Sequence, residues 1–181
     1  LETAVDYMPA NADANIKLGI SYFRLGEFSK ALKPLEKAFL LKKNLNEGLY
    51  ELGVTYFKAM QYQNALNAFE ELLEKTNEPH ICYLWIGHCY REAGKLDEAI
   101  NNYEKALELR PAYVEALFAI GKSYLKMEKF EKAMENYKKI TDLDQSNMEA
   151  FLGLGTAEFR IGIRDENQSA LRRSVNAFKL A

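Results

Sequence analysis

Apolar residues recur along the chain at spacings of three and four, in segments roughly a dozen residues long. That period places them on one face of an α-helix, so the pattern predicts a succession of amphipathic helices. Short breaks separate the segments: Leu25-Gly26-Glu27, Ala93-Gly94-Lys95 and Met127-Glu128-Lys129. Gly26 and Gly94 are expected to supply the left-handed residue that ends a helix.

The pattern repeats. Gly19, Gly53, Gly87, Gly121 and Gly155 follow one another at intervals of 34 residues, each preceded by Leu or Ile. Three positions later stand Tyr22, Tyr56, Tyr90 and Tyr124, with Glu158 in the fifth copy. Twelve after the glycine stand Ala31, Ala65, Ala99 and Ala133, and four beyond these the large residues Leu35, Phe69, Tyr103 and Tyr137. Two further rows are uniformly small: Ala14, Gly48, Cys82, Ala116, Ala150, and Ser21, Thr55, Cys89, Ser123, Ala157. A glycine inside a helix costs about 1 kcal/mol against alanine. Five of them in register need a steric reason, and close approach of two helix backbones, glycine row against alanine row, is the one expected.

The signature apolar-x2-apolar-Gly-x2-Tyr, then Ala-x3-aromatic, then Pro resembles the tetratricopeptide repeat, a 34-residue helix-turn-helix unit. Tyr83, Ile86, Gly87, Tyr90, Ala99, Tyr103, Ala106 and Pro111 carry it most fully. The resemblance covers essentially the whole chain. It implies an all-α fold: a right-handed α-solenoid of about five helical hairpins plus an N-terminal helix remnant. The expected division is 1–11 as the tail of a truncated preceding repeat, then repeats at 12–45, 46–79, 80–113, 114–147 and 148–181. On this reading the chain is an excerpt of a longer protein, with Leu1–Met8 and Pro9 closing a repeat whose first helix is absent. The proline is missing after copies one, two and four, whose junctions rely on Asn44, Asn77 and Asp144-Gln145 instead. The fifth copy is irregular. Gly162 to Asn167 forms a longer inter-helix loop, with Asp165 and Gln168 at capping-box spacing. Aligning Ala170 and Ala177 implies three extra residues and aligning Val175 implies four; three is preferred.

The resemblance further implies a concave face lined by the first helix of each repeat. Those slots hold an acidic row (Asp13, Glu47, Ile81, Glu115, Glu149) and an apolar one (Ile16, Tyr50, Leu84, Phe118, Leu152). A third row reads Lys17, Glu51, Trp85, Ala119, Gly153, and a fourth Ile20, Val54, His88, Lys122, Thr156. The last turn adds Phe23, Phe57, Arg91, Leu125, Phe159 and then Arg24, Lys58, Glu92, Lys126, Arg160. Trp85 beside the small Ala119 and Gly153 suggests a pocket bounded by Trp85, Phe118 and Leu152. Candidate peptide-binding residues are therefore Tyr50, Leu84, Trp85, His88, Phe118, Ala119, Lys122, Lys126, Leu152, Gly153 and Arg160. Packing between repeats is the competing explanation for the aromatic rows. Acids at helix starts and bases at helix ends also complement the macrodipole, at about 0.3–1 kcal/mol each. Many tetratricopeptide proteins grip a terminal carboxylate with Lys, Asn and Arg. Here those slots hold Ile16, Ile20, Glu51, Ile81 and Trp85, or one copy later Tyr50, Val54, Trp85, Glu115 and Ala119, which cannot form that clamp.

Composition narrows the function. The 181 residues are 48% hydrophobic with a formal net charge of -2. That balance gives no reason to expect nucleic acid as a partner, and no run of 18 apolar residues predicts a membrane span. Two cysteines do not make a disulfide scaffold, and reduced thiols fit a cytoplasmic or other reducing compartment. Gly121-Lys122-Ser123 has the ending of a phosphate loop, but Ala116 stands where the motif needs its first glycine. His80, Cys82, His88 and Cys89 cluster, yet both cysteines occupy small-residue rows, His80 falls at a helix start and His88 lies on a different face from Cys89, so no metal site is expected. Asn167-Gln168-Ser169 is a glycosylation sequon in form only. The expected function is non-catalytic: a protein-interaction scaffold, with no cofactor, that holds a peptide or helix. The alternatives are a regulatory or substrate-docking array of a larger enzyme, and a self-assembling scaffold with weak self-association through the array ends.

Overall fold

The computed structural model describes residues 11–42 and 46–181. The expected remnant Leu1–Met8, Pro9 and the Asn44 junction lie outside them. Among the described residues there are ten α-helices and no strand. The helices are α1 (Ala12–Arg24), α2 (Phe28–Leu41), α3 (Leu49–Lys58), α4 (Tyr62–Leu73) and α5 (Pro79–Glu92), followed by α6 (Leu96–Leu109), α7 (Val114–Lys126), α8 (Phe130–Leu143), α9 (Met148–Arg164) and α10 (Gln168–Leu180). They sort into two compact units, one ending at Ala93 and the other beginning at Gly94. In the first, α1 packs on α2, α3 on α4, and α4 on α5. In the second, α6 packs on α7, α7 on α8, α8 on α9 and α9 on α10.

The turns inside the hairpins follow one design. Gly26 N–H donates to Phe23 O and Glu27 N–H to Tyr22 O, both at 2.9 Å, which closes the end of α1 with a left-handed residue. Gly26 and Gly94 take φ of 75° and 78°, as expected. Met60 and Glu128 take the same conformation, at φ 59° and 57°, without being glycine. Their closing bonds, Gln61 N–H to Tyr56 O and Lys129 N–H to Tyr124 O, match that of α1.

The glycine row is a packing row, with a different partner from the one expected. A Cβ on Gly53 would lie 2.8 Å from Phe69 Cζ, and one on Gly121 would lie 2.8 Å from Tyr137 Cζ. On Gly19 it would lie 2.5 Å from Leu35 Cγ. The glycine therefore receives the large residue of the second helix, laid across it. The alanine row, Ala31, Ala65, Ala99, Ala133 and Ala170, is buried beside that contact. The polar members of the small rows are satisfied within their own helices: Thr55 Oγ1 donates to Glu51 O at 2.6 Å and Ser123 Oγ to Ala119 O at 2.7 Å.

The fifth copy departs from its expected shape. Its extra residues extend α9 to Arg164 instead of lengthening the loop. Ile161 and Gly162 are buried, and a Cβ on Gly162 would meet Leu171 Cδ2 at 2.7 Å. Gly155 and Gly162 are two turns apart, so both face α10 and let the longer helix stay close to it. Arg164 reaches back to Glu131 on α8 and pairs with Asp165 at 2.7 Å. Asp165 is thus an ion-pair partner, and the cap of α10 is Asn167, whose Oδ1 accepts from Ser169 N–H and Ala170 N–H. Ala170 and Ala177 are buried and Val175 is exposed, in agreement with the three-residue register. Ser174 then occupies the large-residue slot, and Phe178, one turn on, covers Gly155 with its Cδ1 2.8 Å from the position of a Cβ.

Candidate functional site

The candidate residues fall in both units. Tyr50, Leu84, Trp85 and His88 lie in the first; Phe118, Ala119, Lys122, Lys126, Leu152, Gly153 and Arg160 lie in the second.

In the first unit the apolar and third rows meet as an aromatic cluster. Trp85 is half-buried and lies flat on Phe69, with ring centroids 5.6 Å apart and planes at 9°. Phe57, His88 and Tyr50 meet its edges at 5.3, 5.4 and 6.4 Å. Tyr50 also touches Phe23 at 6.3 Å, so rings from α1, α3 and α5 are continuous. Burial raises the Tyr50 phenol, and the hydrogen bond from the Trp85 side chain pulls the other way. Leu84 is buried.

The diminishing third row has a packing cause. Trp85 faces Phe69, the large residue of the preceding repeat. Gly153 stands in the same relation to Tyr137, and a Cβ on it would lie 2.5 Å from Tyr137 Cε1. The Tyr137 ring is held between Gly121 and Gly153, and Phe118 meets it at 5.9 Å. Gly153 is small because a ring fills the space a side chain would take, and Ala119 is buried. The size step read as one wall of a pocket is therefore filled by the hairpin core.

The second unit exposes large apolar side chains on α9, with basic and acidic residues both at its surface. Leu152 and Phe159 on α9 are 53% and 43% accessible. Met148 and Ile163 are exposed on the same stripe, at spacings of four and eleven from Leu152. Lys122, Lys126 and Arg160 are exposed as well. Lys122 Nζ lies 2.8 Å from Glu149 Oε1 and 5.5 Å from the Phe118 ring centroid. Sequence reading placed Phe159 in the concave lining without making it a candidate, and missed Met148 and Ile163, although their helical spacing was visible.

Cys82 and Cys89 are buried, and burial pushes their thiols up to about 11 and about 12. Both stay protonated near neutrality, so neither is an activated nucleophile. Among the described residues no group of three or more His, Cys, Asp and Glu is placed to hold a metal ion. No helix among them is long and apolar enough to cross a membrane.

Models of the TPR repeat match residues 87–128, and models of the tetratricopeptide repeat match residues 47–75 and 114–147. No curated protein sequence matches the chain. Among solved structures, a MamA protein is 22% identical with a TM-score of 0.75, covering 95% of this chain and 94% of that one. MamA from Desulfovibrio magneticus RS-1 is 23% identical with a TM-score of 0.78, covering 93% and 94%. YrrB, described as a TPR protein with an unusual peptide-binding site, is 20% identical with a TM-score of 0.73, covering 99% and 91%. At these identities the likeness is one of fold. The 34-residue rows, the helical hairpins and the three matched segments agree, and the chain belongs to the tetratricopeptide-repeat family of α-solenoid proteins.

Proposed function

We propose that the chain is a non-catalytic protein-interaction module that seats a peptide or amphipathic helix against its first helices. The observation that carries this reading is the exposure of Leu152 and Phe159 on α9, in a unit that also exposes Lys122, Lys126 and Arg160. Large apolar side chains held in water favour a ligand with apolar anchors, and the exposed cations of the same unit favour acidic flanks on it. The description of YrrB as a peptide-binding TPR protein is in keeping with it. In the first unit the half-buried Tyr50, Trp85 and His88 belong to one aromatic cluster, a second apolar surface for the same role.

The test is selection of displayed peptides on the intact chain, repeated on a Leu152→Glu, Phe159→Glu variant. Expected is enrichment of apolar peptides with acidic flanks, whose affinity falls at least tenfold on the variant, by about 1.4 kcal/mol or more. Failure to enrich, or equal binding by the variant, would overturn the proposal.

Self-association is a second reading, supported by Val175 and Leu180, exposed on α10 at 51% and 61%. Light scattering across a wide concentration range tests it, with Val175→Glu plus Leu180→Lys as the control. A mass that stays monomeric removes it.

A further inference from the structure

A cleft of about 380 Å³ opens in the first unit, lined by Tyr50, Leu72, Thr76, Glu78, Ile81 and Cys82. The walls are apolar: the end of α4 supplies Leu72, the first turns of α5 supply Ile81 and Cys82, and α3 supplies the Tyr50 ring. The cleft exists because α4 stops at Leu73 and the chain crosses to α5 as a connector, with Thr76 Oγ1 accepting the Glu78 N–H at 3.0 Å. Glu78 is the one ionisable carboxylate in the lining. It is exposed, caps no helix with its side chain, and forms no ion pair with a described residue. Lys75, the only cation between Ala59 and Tyr90, is spent on Glu71 at 2.5 Å. Glu78 is thus the single charge that the lining of this apolar hollow presents to a ligand.

We infer that this cleft is a binding site for an apolar side chain flanked by basic residues, presented by a peptide segment. The hollow takes the apolar group out of water, and the Glu78 carboxylate meets the cation beside it. Its charge preference is opposite to that proposed for Leu152 and Phe159, and no residue is shared, so the two stand or fall separately. Tyr50 both lines the cleft and touches Trp85, the single tryptophan, so filling the cleft reports on Trp85 emission.

The experiment titrates the intact chain with capped Lys-Phe-Lys amide and, separately, capped Glu-Phe-Glu amide. Trp85 fluorescence and backbone amide shifts are followed together. Expected is a saturable emission change with the lysine peptide, with amide shifts centred on residues 72–82, and at least tenfold weaker binding of the glutamate peptide. Glu78→Lys should weaken the lysine peptide at least tenfold and favour the glutamate peptide. Ile81→Phe, which fills the hollow, should weaken both. A far-ultraviolet spectrum confirms that each variant is folded, and Glu78→Lys alters only an exposed side chain. No saturation with the lysine peptide, shifts centred elsewhere, or unchanged binding by Glu78→Lys would overturn the inference.

Discussion

Trp85 stacks on Phe69 with the two planes 9° from parallel, so the residue most suited to anchor a ligand is also a structural contact between successive repeats. Trp85→Ala should lower stability by about 2–3 kcal/mol, towards the lower end for loss of a large aromatic because the ring is half-buried. Urea unfolding checks this. A midpoint unchanged from wild type would show that the stack contributes nothing. Binding measured on this variant must be corrected for the unfolded fraction.

The glycine row predicts a coupling that a single mutation cannot reveal. Gly53→Ala places a methyl 2.8 Å from Phe69 Cζ and should cost about 1–3 kcal/mol. In a Phe69→Leu background the ring is gone and the same substitution should cost markedly less. A double-mutant cycle measures the difference. Additive effects would mean that the ring moves aside freely.

At the hairpin turns, Met60→Gly and Glu128→Gly should each stabilise the chain by about 1 kcal/mol. Both positions hold positive φ, which a Cβ disfavours. Gly26→Ala is the converse: nothing lies within 4 Å of its Cβ position, yet φ is 75°, so it should destabilise through backbone strain alone. Thermal melts of the three variants test the set, and a lower Tm for Met60→Gly would contradict it.

Alkali should unfold the chain earlier than the loss of ion pairs requires. Burial raises Cys82 to about 11 and Cys89 to about 12 from 9.0, and Tyr137 to about 12 from 10.0. The folded state keeps protons that the unfolded chain releases. The stability these groups confer is complete below pH 9 and falls as pH rises towards 11–12. Unfolding midpoints at pH 8, 9.5 and 10.5 should decline in that order. At pH 8 a disulfide reagent should titrate both thiols within minutes in denaturant and neither in the native chain.

Sequence alone determined the architecture, because a 34-residue period in glycine, alanine and aromatic rows can be met only by helices that pack in the same way each time. The rows also located the left-handed turns at Gly26 and Gly94. Pattern could not say which residue lies across each glycine, since that depends on side-chain direction between two helices: Leu35, Phe69 and Tyr137 are the nearest to Gly19, Gly53 and Gly121. Nor could it tell that Gly153 makes room for Tyr137, or that the fifth copy spends its extra residues on helix α9. Exposure was decided in three dimensions as well. Trp85 and Leu152 occupy neighbouring rows of one repeat pattern, but the first is stacked on a ring from the preceding repeat and the second stands 53% open to water. A row assigns a residue to a helix face; only the packed neighbours determine whether that face is free to meet a partner.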